Sequence, residues 1–116
     1  MQIKRVGTTA RWSDITIHNN TLYLVEVPSN TLNSDIVDQT REVLHSIENI
    51  LLVHGSGKNA LLMVTIYLAK ISDIELFNQI WDVWLPAGTA PVRACVEAKL
   101  ANSQYKVELQ VIAALS

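Results

Sequence analysis

Arg93 is the residue at which chemistry is easiest to place. It stands mid-run in Val92-Arg93-Ala94-Cys95-Val96, an apolar stretch that alternates like a strand, with Val92, Ala94, Val96 and Ala98 on the opposite phase. A guanidinium buried alone is strongly unfavourable, so this one needs an anionic partner. One class of partner is an acid of the protein itself: Glu97, Glu108 or an acid of another subunit. The other is a substrate carboxylate, which the planar guanidinium fork suits for two-pronged capture. Glu108, between Val107 and Leu109 on a second apolar run, either faces solvent or pairs with Arg93. Cys95 shares the Arg93 face two residues on, and a lone cysteine is more often a small buried hydrophobe than a nucleophile.

The scaffold holding these groups is small and unusually apolar. The chain has 116 residues, 49% of them hydrophobic and only 17% charged, where soluble domains average roughly 25% charged. Its length fits one domain spanning residues 1–116, with one core. A small domain has much surface to cover, so the apolar excess predicts burial against other subunits. Net charge is −2, the isoelectric point is about 5.8, and the nine basic residues are scattered. That pattern predicts no nucleic-acid partner. The start of the chain lacks an apolar signal segment, and no apolar run reaches the roughly 18 residues needed to span a membrane. One cysteine and three dispersed histidines (His18, His45, His54) predict neither an internal disulfide nor a metal site. The expectation is a reduced, cytoplasmic protein without membrane, metal or cofactor.

Patterning along the chain supplies the elements. Ile15–His18 and Thr21–Val27 read as strands joined at Asn19-Asn20, since asparagine tolerates positive φ. Pro28-Ser29-Asn30 ends the second. Helical spacing of Ile36, Val37, Thr40, Val43, Leu44, Ile47, Ile50 and Leu51 predicts a helix over about 34–54, stopped by Gly55-Ser56-Gly57. Ala60–Lys70 reads as a strand apolar on both phases and so covered on both sides: Leu62, Val64, Ile66 and Leu68 on one, Leu61, Met63, Tyr67 and Ala69 on the other. Ser72-Asp73-Ile74-Glu75 has the form of a capping box opening a second helix. Its core face is Ile74, Phe77, Trp81 and Trp84/Leu85, with Pro86-Ala87-Gly88 ending it; Trp81 and Trp84 read as packing residues. Strands over Pro91–Lys99 and Tyr105–Ala114 follow, separated by Asn102-Ser103-Gln104. The order ββαβαββ predicts an α+β fold, helices on one face of a mixed sheet and the other face free for partners. His18, His45 and His54 read as surface or turn residues.

Thr89-Ala90-Pro91-Val92-Arg93-Ala94-Cys95-Val96-Glu97-Ala98, followed by Lys106-Val107-Glu108-Leu109-Gln110-Val111-Ile112-Ala113, resembles the signature of the reactive intermediate deaminase (Rid, or YjgF-like) family, which also carries the label endoribonuclease L-PSP. Gln39-Thr40 with Leu44, Ile47 and Leu51 resembles its first helix, and Asp73 with Phe77-Asn78 its second. Arg11-Trp12-Ser13-Asp14, Ile17-His18-Asn19-Asn20 and Leu22-Tyr23 resemble the short YoaB-like subgroup. The resemblance covers essentially the whole chain and rests on the order and spacing of motifs that are individually weak. It implies a chorismate-mutase-like sandwich and a homotrimer with a central barrel, with ligand clefts between subunits.

The resemblance also implies roles. The family's carboxylate-binding arginine falls on Arg93, the acid that helps activate the hydrolytic water on Glu108, and a cleft-lining cysteine on Cys95. Trp12 stands where many relatives carry a tyrosine beside the cleft, and Glu26 where glycine is usual. A carboxylate at Glu26 would repel an acidic substrate or pair with Arg93. The leading expectation is a hydrolytic deaminase of small 2-imino or enamine acids. The alternative is a non-catalytic binding or regulatory protein for small carboxylate metabolites. A minor third reading, endoribonuclease, has the missing basic patch against it.

Overall fold

The computed structural model describes residues 2–116; Met1 lies outside the described residues. Six strands form one mixed sheet: β1 (Lys4–Val6), β2 (Ile15–His18), β3 (Thr21–Glu26), β4 (Leu61–Leu68), β5 (Val92–Glu97) and β6 (Val107–Ala114). Their order across the sheet is β1-β2-β3-β6-β4-β5. Every neighbouring pair is antiparallel except β4 and β5. Helices α1 (Ile36–Val53) and α2 (Ile74–Trp84) complete the α+β fold. α1 packs on β3, β6 and α2. Strand β1 is an addition to the expected order.

Local chemistry explains most boundaries. Asn19 and Asn20 both adopt positive φ, +52° and +58°, the two-residue turn whose twist matches its flanking strands. α1 begins at Ile36 rather than Ser34, because the Asp35 side chain accepts from the Asp38 amide (2.9 Å) as N-cap. It ends at Val53: Gly55 takes φ +80°, and the Ser56 amide reaches back to the Leu51 carbonyl at 2.8 Å, closing a Schellman motif.

Two expectations need correction. The capping box at Ser72–Glu75 does not form. Ile71–Asp73 is a short 3-10 turn running straight into α2, and Asp73 has helical backbone with no side-chain cap. Its leading amides are met otherwise: the Asp73 amide donates to the Lys70 carbonyl and the Ile71 amide to Glu97 Oε1 at 3.0 Å. The second concerns the phase of β4. A register shift between Leu61 and Met63 sets an extra residue against β6. Leu61 therefore joins Val64, Ile66 and Leu68 in the core, while Leu62 turns outward.

The core lies between the helices and one sheet face. Leu22, Leu24, Val64, Ile66, Leu68, Val107, Leu109, Val111 and Ala113 point into it, against Val43, Leu44, Ile47 and Leu51 of α1 and Phe77 and Trp81 of α2. Phe77 stacks on Trp81 (5.9 Å, 27°), and Trp81 meets Trp84 at 5.6 Å. The fully buried Gln39 is satisfied: its amide group donates to the Thr31 and Gln104 carbonyls (3.1 and 2.9 Å), and its oxygen accepts from the Lys106 amide at 2.7 Å. α1 thereby pins the loop that leads into β6.

Candidate functional site

Arg93 ends a row that crosses the sheet. Register places Ile15, Leu24, Val111, Val64 and Arg93 side by side, and all but Arg93 are core residues at most 5% exposed. The arginine is half-buried, on the edge strand, facing the helices. Its Nη1 donates to Asn78 Oδ1 of α2 at 2.8 Å, and its guanidinium carbon lies 5.7 Å from the centre of the Trp81 ring, a cation–π distance. No acid of the chain neutralises it, because the one ion pair among the described residues is Lys58–Glu48 at 3.5 Å. Glu97, a candidate partner by sequence, instead accepts from the Ile71 amide. An arginine has five N–H donors in a rigid fork, and the Asn78 bond engages one nitrogen.

Cys95 sits on the same face two residues on, packed against the core. Burial pushes its thiol up from the ordinary value, and the Arg93 charge opposes that only in part. Its thiolate fraction is small at neutral pH, which fits a lining residue rather than a nucleophile.

Glu108 is on the other side of the sheet. β6 buries Val107, Leu109, Val111 and Ala113 against the helices, so Glu108 faces away from them, in a row with Tyr67 and Val96. Partial burial raises its carboxyl above the usual range. Within one chain Arg93 and Glu108 are therefore separated by the sheet itself. The expected alternatives in which Arg93 pairs with Glu97 or Glu108 of its own chain are not what the structure shows.

Glu26 and Trp12 stand elsewhere again. Glu26 ends β3 on the helix side and begins the row Glu26, Leu109, Ile66, Cys95. Three strand spacings, about 14 Å, separate it from β5, so it does not pair with Arg93 of its own chain. Burial raises its carboxyl first; a bond from the Val27 amide opposes this, and Glu42 and Asp14 add to the rise. Trp12 lies in the β1–β2 loop at the opposite edge of the sheet from β5, 60% exposed. That loop is tight: Gly7 takes φ +65°, and a side chain there would collide with the Asp14 carboxylate.

The structure thus brings Arg93 and Cys95 together and leaves Glu108, Glu26 and Trp12 apart from them. Two concavities of about 470 Å³, one around Glu97–Tyr105 and one between α1 and α2, are lined by none of these five. Among the described residues no group of three His, Cys, Asp or Glu side chains is placed to hold a metal ion, and no helix among them is long and apolar enough to cross a membrane. His18 is half-buried in β2 with an unpartnered Nε2 rather than a surface residue. In the sequence Asn78 stands out only as part of the Phe77-Asn78 motif. The available signal was its spacing of three from Trp81, which puts both on one helix face.

The family model described as Endoribonuclease L-PSP matches residues 2–115. The chain is 47% identical to the RutC family protein YoaB of Escherichia coli K12, over 99% of this chain and all of that protein. It is 42% identical to a RutC family protein of Haemophilus influenzae, covering 97% of this chain and 98% of the relative. Among solved structures, one from Pseudomonas aeruginosa superposes with a TM-score of 0.94 at 38% identity, covering 99% of this chain and all of the other. A member of the YjgF protein family from Neisseria meningitidis gives 0.91 at 38% identity, covering 100% and 97%.

Proposed function

This chain belongs to the Endoribonuclease L-PSP family, the YjgF/Rid proteins, and on that premise we propose that it is a hydrolytic deaminase of small 2-imino and enamine acids. The observation that carries the reading is Arg93: a half-buried guanidinium on an edge strand, with no acid of its own chain against it and donors left to offer. A carboxylate is the ligand such a group suits. Family membership supports a deaminase or a small-molecule-binding role; the particular reaction is our reading.

In this reading Arg93 holds the substrate carboxylate, and the enamine tautomerises to the imine. A water, deprotonated by Glu108, attacks the imine carbon and forms the new C–O bond. The C=N π electrons move to nitrogen, which takes the proton from Glu108. The new hydroxyl then gives up its own proton, returned to nitrogen by way of Glu108. As the C=O forms, the C–N bond breaks, ammonia leaves and a 2-keto acid remains. An imine is already electrophilic, so the reaction calls on no cofactor. Partial burial raises the Glu108 carboxyl, which makes its carboxylate a stronger base than that of an ordinary surface glutamate. Because Arg93 and Glu108 lie on opposite sheet faces, the reading sets the reaction where two copies adjoin, Arg93 and Cys95 from one and Glu108 from the next, in a homotrimer. The uncovered apolar sheet face favours such self-association.

The test generates 2-aminoacrylate with a pyridoxal-phosphate dehydratase and follows pyruvate. Turnover above the spontaneous rate is expected, lost in Arg93→Ala. Glu108→Gln should lower kcat by about two orders of magnitude while pyruvate still binds. A rate no faster than spontaneous, or full activity in Arg93→Ala, sinks the reading.

One observation favours a second reading, a binding protein for small carboxylates without turnover: a single chain holds the anchor and lacks the acid beside it. Stabilisation by pyruvate with no acceleration of 2-aminoacrylate hydrolysis would select it. Cleavage of a polynucleotide is disfavoured by the net charge of −2 and the scattered basic residues.

A further inference from the structure

Arg93 does not hold its pose unaided. Asn78 and Trp81 are three apart on α2, on one helix face. Asn78 accepts from Nη1 at 2.8 Å, and the Trp81 ring, itself buried and stacked on Phe77, lies 5.7 Å from the guanidinium carbon. One contact holds an edge of the fork, and the other sets an aromatic ring against the guanidinium.

The chemical type of the edge contact matters as much as its place. A carboxylate at this position would form an ion pair and cancel the charge before any ligand arrived. The amide oxygen of Asn78 accepts a hydrogen bond and leaves the positive charge whole. Arginine side chains carry large rotamer entropy, and fixing the fork in advance lowers the loss incurred when an anion binds. We propose that Asn78, backed by Trp81, is a positioning residue that presents Arg93 as a charged, pre-set anchor for small 2-keto and 2-imino carboxylates. The inference rests on Arg93 being the carboxylate anchor of the reading above.

The rival explanation is that Asn78 merely ties α2 to β5. Two substitutions separate them, read out as pyruvate affinity and as melting temperature of the full-length protein. Asn78→Asp keeps an acceptor of the same shape and adds a negative charge; Asn78→Leu keeps the volume and removes the acceptor. Positioning predicts a crossing. Asn78→Asp should lose pyruvate affinity by about tenfold or more, with its melting temperature kept or raised, because it creates the internal ion pair. Asn78→Leu should lose less affinity, about three- to fivefold, and be the less stable of the two. On 2-aminoacrylate, Asn78→Asp should raise KM far more than it lowers kcat.

A merely structural role would give no crossing: Asn78→Asp would bind pyruvate like the wild type, and only Asn78→Leu would suffer. That result overturns the proposal. The control is Arg93→Ala. If it abolishes pyruvate binding while Asn78→Asp binds normally, the positioning role fails and the anchor stands. If Arg93→Ala binds pyruvate as well as the wild type does, or the wild type does not bind it, the anchor fails and the positioning role goes with it.

Discussion

On the helix side of the sheet, Leu22, Leu24, Val64, Ile66, Leu109 and Val111 are at most 4% exposed, while on the other side Tyr23, Val25, Met63, Val92 and Val96 are 38–68% exposed. Strands β3 and β4 supply members of both sets, one residue apart. The first set meets α1 and α2; the second meets no element among the described residues. Alternating strands can bury one face with the chain's own helices, and an apolar second face then calls for a surface from outside. The candidate residues divide along the same line: Arg93 and Cys95 belong to the helix side, Glu108 to the open side. The apolar set on the first side is buried by the chain's own helices, and the set on the second stays exposed in the single chain.

The largest effect should come from damaging the covered side. Phe77 is fully buried and stacked on Trp81; Phe77→Ala should cost about 3–5 kcal/mol, visible as a large fall in the denaturant midpoint. A fall no bigger than that of a surface change would mean the two sides are not packed differently.

The open side should respond in another quantity. Val25→Asp, at a position 52% exposed in the single chain, should leave the circular dichroism of the fold intact. It should shift the mass found by sedimentation toward that of one chain, since a charge inserted in an apolar contact is strongly disfavoured. A wild-type protein already sedimenting as a single chain would mean that the open face needs no cover.

The smallest effect concerns Glu26, a carboxylate half-buried at the rim of the covered side. Its folded carboxyl is raised above the ordinary value of 4.5, so the folded state binds the proton more tightly than the unfolded one. Between the ordinary value and the folded one, stability falls as pH rises, and the penalty is constant at higher pH. Glu26→Gln should raise the melting temperature by a few degrees at neutral pH. That gain should shrink to nothing as pH drops below the ordinary carboxyl value. A gain independent of pH would assign the effect to something other than the buried charge.

Much of this protein is legible in the sequence, and its limit has a physical reason. Helical spacing in Ile36–Leu51, the Asn19-Asn20 turn, the Gly55 stop and the two-residue periodicity that sets Arg93 and Cys95 opposite Val92 and Val96 are all local, decided by residues within a turn or two of one another. Periodicity assigns faces within a strand; only register between strands relates one strand's faces to another's. Insertion of β6 between β3 and β4, the extra residue at Leu61–Met63 and the placing of Glu108 across the sheet from Arg93 therefore awaited the tertiary structure. So did the partners of the polar groups: Glu97 on the Ile71 amide, and Asn78 with Trp81 on Arg93. Those contacts join residues 12 to 26 positions apart, and their geometry exists only once α2 has docked over β5. Local patterning puts an arginine on an apolar strand, where it needs an anion; no acid among the described residues of its own chain supplies one once the strands and α2 have docked.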